Sequence, residues 1–176
     1  MTMPGITCFD AGQMKIVRGA HERSVRLVSD YYRIAPREWG RMSYQVKTLR
    51  TLDPCEVTEK ALAQTLCYSI KREVGSTVIE EGDLYMICLQ DQRILEVVQE
   101  WELRLGALLT YVLTHELVHV VRFGQELQQL DLAFDLRAGE EQRVEKTTRA
   151  ILAAATPSCL SRKLAASLET LYATPA

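Results

Sequence analysis

The chain has 176 residues, 47% of them hydrophobic and 25% charged. That is enough to bury one good core, and it excludes both a disordered polymer and a membrane-dominated chain. Net charge is only −2, yet Lys15 to Arg50 holds nine basic residues against three acidic, and Asp53 to Glu102 holds eleven acidic against four basic. The two stretches can dock on each other. A nucleic-acid surface is the alternative for the basic stretch, but few aromatics interleave its arginines.

In chain order, Glu22 to Ile34 places Val25, Val28, Tyr31 and Tyr32 at helical spacing. Pro36 suits the first turn of a second helix carrying Trp39, Met42, Val46 and Leu49. Asp53, Pro54 and Glu56 form a capping signature ahead of a third helix presenting Leu62, Leu66 and Ile70. The first seventy residues therefore read as helical.

Thr77 to Ile79 and Leu84 to Leu89 read as two short strands around the turn-forming Glu81-Gly82-Asp83. Helical periodicity returns from Ile94 to Phe123, as one helix or as two broken near Gly106, with Gly124 as a natural stop. A polar connection over Gln125 to Leu136 leads to a helix from Gly139 to Ala155, and Ser161 to Tyr172 would be the last one.

The expected fold class is α+β and mostly helical, with a small β-hairpin or short sheet beside the long apolar helix. No repeat or linker divides the chain, so residues 1–176 read as one domain. Residues 1–73 form its helical N-terminal layer and 74–176 its core. The five cysteines are odd in number and scattered without a CxxC pair, so a disulfide framework is not expected. Met1 to Gly19 lacks an apolar run fit for a signal peptide, and Leu105 to Val121 is interrupted by His115, Glu116 and His119. The expected compartment is the cytoplasm, with no membrane partner.

Those three interruptions carry the chemistry. On a helix, positions i and i+4 stand one above the other, so His115 and His119 can place two imidazole nitrogens on one metal ion. Glu116 is turned about 100° from His115, too far to be a ligand of the same ion but within reach of a water held there. Zinc makes such a water acidic, and a carboxylate can take its proton as it attacks a carbonyl. The bland alternative is a pair of core histidines. Against it, the chain has three histidines in all, two of them here, and an uncompensated Glu116 in an apolar run would be costly to bury.

Catalytic zinc needs a third protein ligand, and no histidine follows His119. The candidates are the carboxylates near the start of the next helix. Projecting its apolar face (Val144, Thr148, Ile151, Leu152) back one turn lands between Glu140 and Glu141 and nearer Glu141, which becomes the expected ligand with Glu140 as the alternative. Glu145, one turn on, could accept a hydrogen bond from the far nitrogen of a liganding histidine.

His115-Glu116-x-x-His119 followed by Glu141-x-x-x-Glu145 resembles the zincin metallopeptidases, specifically the gluzincin branch; the small size is similar to that of the minigluzincins and the ImmA/IrrE-like regulators. The likeness covers about Leu84 to Leu152. It implies a zincin-like fold in which the strand before the metal helix, here Leu84 to Leu89, forms the cleft edge where substrate backbone adds. The pattern departs from that branch in having Glu145 where Asp is usual. Such proteins also use a Tyr or His to stabilise the oxyanion; His21 is far away in sequence, and Tyr85, Tyr111 and Arg122 are the candidates here.

The expected function is a zinc-dependent metallopeptidase cleaving a peptide or protein, with Glu116 as general base. The N-terminal layer, including the soft ligand Cys8, could cover its cleft. The alternative is a metal-stabilised regulatory or interaction module whose basic N-terminal helices meet a partner or nucleic acid.

Overall fold

A computed structural model describes residues 7–74, 77–125 and 134–155, with only the backbone considered at 71–74, 77–81 and 134–137. The expected helix over Ser161 to Tyr172 and most of the Gln125–Leu136 connection lie outside the described residues. The elements are α1 (Ala11–Tyr32), α2 (Pro36–Trp39), β1 (Tyr44–Lys47), a 3-10 turn (Pro54–Glu56), β2 (Ala63–Val74), β3 (Thr77–Leu89), α3 (Asp91–Glu100), α4 (Leu105–Gly124) and α5 (Phe134–Ala155). This is the α+β, mostly helical class expected, with one small sheet.

The sheet is larger than its sequence signal. Its order is β1-β3-β2, with β1 parallel and β2 antiparallel to β3. The expected third helix is the strand β2, and of the second helix only Pro36–Trp39 is helical before β1 begins. The reason is one of period: Leu62, Leu66 and Ile70 are four apart, which is one turn of a helix but also two full repeats of a strand. The β-favouring Thr65, Tyr68 and Ile70 between and among them point to the strand. Nor does Glu81-Gly82-Asp83 turn the chain. Gly82 pairs with Ile70 inside one continuous β3, and the hairpin closes on Val74–Thr77.

Helix α1 begins eleven residues earlier than its apolar pattern suggests. Asp10 starts it by a capping box: Asp10 Oδ1 accepts from the Gln13 amide at 2.7 Å, and Gln13 Oε1 accepts from the Asp10 amide at 2.9 Å. The helical stretch after Ile94 is two helices, parted at Trp101–Arg104 just before Gly106. Gly124 does end α4, and the C-cap residue Gln125 has φ −98°. Its lack of a side chain matters for packing: a Cβ there would stand 2.5 Å from Met42 Cγ.

Helix α4 is the axis of the molecule. It packs against α1, α3, α5 and β2, and from Leu108 to Val121 every residue but Thr110 is buried. A helix apolar all round is one that neighbours surround. Ser24 of α1 donates to the Thr110 carbonyl and accepts from the Thr114 hydroxyl, both at 3.1 Å, fixing α1 on that side of α4. Among the described residues no helix is long and apolar enough to cross a membrane.

Candidate metal centre

His115 and His119 project from the buried middle of α4 toward α5. Their rings stand 5.0 Å apart, and each ring points its Nε2 at the Glu141 carboxylate. His115 Nε2 lies 3.4 Å from Glu141 Oε2 and His119 Nε2 lies 3.3 Å from Oε1. Helix periodicity makes the histidine pair, and the packing of α5 on α4 supplies the carboxylate.

This donor set fits a metal. Ligand atoms at 2.0–2.1 Å around a tetrahedral zinc sit about 3.3 Å from one another, close to the nitrogen–oxygen separations seen here. One ligand atom from each of the three residues can be chosen so that all lie within 4.8 Å of one another. Two imidazoles and a carboxylate suit zinc, though such donors also take other divalent transition metals. Glu141 is 56% exposed by its side chain while both histidines are buried, so the cluster opens to solvent on the α5 side.

The electrostatics favour the charged forms of His115 and Glu141 when no metal is present. Burial acts to lower the His115 pKa, but Glu141 and Glu145 beside it raise it to about 9. Burial works equally against the Glu141 carboxylate, and the two histidines hold it well below the usual range. Behind His115, Glu145 Oε2 lies 3.6 Å from Nδ1, accepts from the Tyr111 hydroxyl, and is anchored through Oε1 to Arg149 Nε at 2.5 Å. Glu145 thus faces the nitrogen turned away from Glu141, the place an outer partner of a liganding histidine occupies.

Glu140 is elsewhere. Its side chain is 3% exposed and is clamped by Arg122 Nε and, at 3.1 Å, by Arg143 Nη1. Burial pushes its pKa up, and the two guanidinium groups more than reverse that. Arg122 and Tyr111 are therefore already engaged with carboxylates. Tyr85 is buried in a stack with Phe123, whose other neighbour is His119. Cys8 is absent from the metal-capable group found among the described residues; the next amide, of Phe9, is tied to Asp91 at the start of α3. His21 is bound to the Tyr44 hydroxyl at 2.9 Å.

Glu116 lies on the next side of α4, against the sheet. There its Oε2 accepts a 2.7 Å bond from the Thr65 hydroxyl of β2. The helical spacing of Leu62, Leu66 and Ile70 conceals Thr65 in the sequence, because only a strand turns it toward α4. The expected edge strand also needs correcting: Leu84 to Leu89 is the middle of the sheet, flanked by β1 and β2, and has no free backbone edge to offer. The edge beside Glu116 is that of β2, whose outer side pairs with no other described strand.

Comparison of the chain with protein-family models, with curated proteins and with solved structures gives no match.

Proposed function

We propose that this chain is a zinc-dependent metallopeptidase of the gluzincin kind, acting on a peptide or protein. In this reading His115, His119 and Glu141 hold the metal and Glu116 is the general base. The observation that carries it is the convergence of both Nε2 atoms on one carboxylate at 3.3–3.4 Å, with a second, non-liganding carboxylate one residue from the first histidine.

Zinc bound there would make a water nucleophilic near neutral pH and polarise the scissile carbonyl. The protein's own share is division of labour between its carboxylates. Glu141 is held ionised by the histidines, Glu145 steadies His115 from behind, and Glu116 keeps an oxygen for a proton. Oε2 is taken by the Thr65 hydroxyl, and no described residue bonds Glu116 Oε1. An extended substrate could add its backbone to the outer edge of β2, which no other described strand covers.

The test is metal content together with cleavage of a broad peptide library by wild type and Glu116→Gln. We expect zinc in both proteins and a turnover about 10²–10⁴-fold lower in the variant. A zinc-loaded wild type no more active than Glu116→Gln would refute the peptidase reading.

A second reading, a metal-stabilised interaction module, is favoured by Lys15, Arg18, Arg26, Arg33, Arg37 and Arg41. All six are exposed, and none forms an ion pair among the described residues. It predicts DNA binding that weakens steeply with salt, disappears when Arg26, Arg37 and Arg41 are neutralised, and is indifferent to Glu116→Gln.

A further inference from the structure

The hydroxyl of Thr65 reaches a carboxylate fifty-one residues away in sequence. We propose that Thr65 is the positioning residue for Glu116: by donating to Oε2 it fixes the carboxylate so that Oε1 alone is left to receive a proton. The proposal rests on the reading of Glu116 as general base.

Strand alternation puts Thr65 there. Its neighbours in β2 point to the opposite face, where Gln64 Nε2 bonds the Glu56 carbonyl at 2.9 Å and the Tyr68 hydroxyl bonds Glu56 Oε1 at 3.0 Å. Thr65 instead faces α4, opposite the fully buried Ile87 of β3. At such a position, against an apolar helix, valine has the same shape and no polar atom to satisfy. A hydroxyl is useful there only with a partner. The partner is an ionisable group that is 6% exposed, and a bond to a carboxylate is about twice as strong as one between neutral groups. The same hydroxyl lies 3.5 Å from the Glu116 carbonyl, so both of its contacts are to one residue.

The need for such a bond follows from the Glu side chain itself. The helix fixes only the Glu116 backbone; two staggered torsions and a broad terminal one remain. A base whose oxygen wanders by an ångström loses much of its effect, because proton transfer requires a heavy-atom separation near 2.6–3.2 Å. Pinning Oε2 from the sheet side removes most of that freedom and so fixes where Oε1 stands.

The experiment compares zinc-loaded full-length wild type, Thr65→Val and Thr65→Ser. If the proposal holds, Thr65→Val takes up zinc as wild type does, with kcat lowered about 10–100-fold and KM unchanged. That loss stays below the 10²–10⁴-fold that the whole base supplies. Thr65→Ser, which keeps the hydroxyl, retains kcat to within about threefold. Equal kcat in wild type and Thr65→Val, or an equal loss in both variants, overturns the proposal.

A second readout does not need turnover. Crystal structures of the zinc-loaded wild type and Thr65→Val should show Oε1 turned to the metal in the former and the carboxylate swung away in the latter. An unmoved carboxylate in Thr65→Val overturns the proposal whatever the activity. A displaced carboxylate in Thr65→Val, combined with a wild type no better than Glu116→Gln on peptides, leaves Thr65 as the positioning residue and removes the peptidase reading instead.

Discussion

Glu140 and Glu141 are adjacent in sequence and should fail in opposite ways. Glu140 is buried and paired with Arg122, whose side chain is 15% exposed, so Glu140→Gln leaves a largely desolvated guanidinium short of its counter-charge. Breaking a fully buried pair costs about 3–5 kcal/mol. Water reaches Arg122 and the exposed Arg143, and the amide can still accept a bond, so about 2–3 kcal/mol is the reasonable share here. At about 2–4 °C per kcal/mol for a chain of this size, the melting temperature of the metal-free protein should fall roughly 5–10 °C. Zinc binding at saturating metal should persist. Glu141→Gln should do the reverse. Its side chain is more than half exposed and the histidines it faces can give up a proton, so metal-free stability should fall less than in Glu140→Gln. Zinc affinity, measured by competition with a chelator, should fall more than about 100-fold, because even outer partners of a metal site are worth 10–100-fold. Loss of zinc in Glu140→Gln with little loss of stability would make Glu140 the ligand and refute the assignment.

Glu145→Gln should keep the metal but bind it about 10–100-fold more weakly, by the same competition assay, since it alters the residue behind His115 rather than a ligand. Glu56 gives a pH prediction away from the metal. Its buried carboxylate accepts from Lys47 Nζ at 2.9 Å, from the Asp53 amide at 2.8 Å and from the Tyr68 hydroxyl at 3.0 Å. The Lys47 ammonium in particular holds its pKa below the ordinary 4.5 against the opposing effect of burial. A depressed folded-state pKa means stability that is present above about pH 4.5 and lost as pH falls through the lower folded value. Denaturant unfolding should show this acid loss in wild type and a smaller one in Glu56→Gln. That variant should also be about 2–3 kcal/mol less stable at pH 7, because Lys47 is left short of its partner. Equal acid sensitivity in both proteins would rule out Glu56 as a source of it.

How much was legible depended on whether the deciding interaction was local. Pro36 in the first turn of α2 and a break between α3 and α4 near Gly106 follow from neighbours within a few residues and were readable, whereas the Asp53 signature opens only a 3-10 turn and not the expected helix. Strand β2 was not. Leu62, Leu66 and Ile70 satisfy both periods, and the choice is made by pairing with β3 along nearly its whole length, a partner that the segment's own residues do not announce. The same miss hid Thr65 and misplaced the free strand edge.

At the site, the sequence by itself determined that His115 and His119 stand on one side of a helix, that Glu116 stands on the next, and that Glu140 and Glu141 flank the apolar face of the later helix. Those are consequences of the 3.6-residue repeat and the apolar face of each helix. Only the tertiary structure decided between Glu140 and Glu141, which differ by 100° around α5. Arg122, reaching across from α4, draws the first into the interior, and the two histidines face the second at 3.3–3.4 Å. It also supplied the hydroxyl that holds Glu116. Both depend on how one element is set against another, and that is fixed by the shared packing around α4 rather than by the local sequence of either partner.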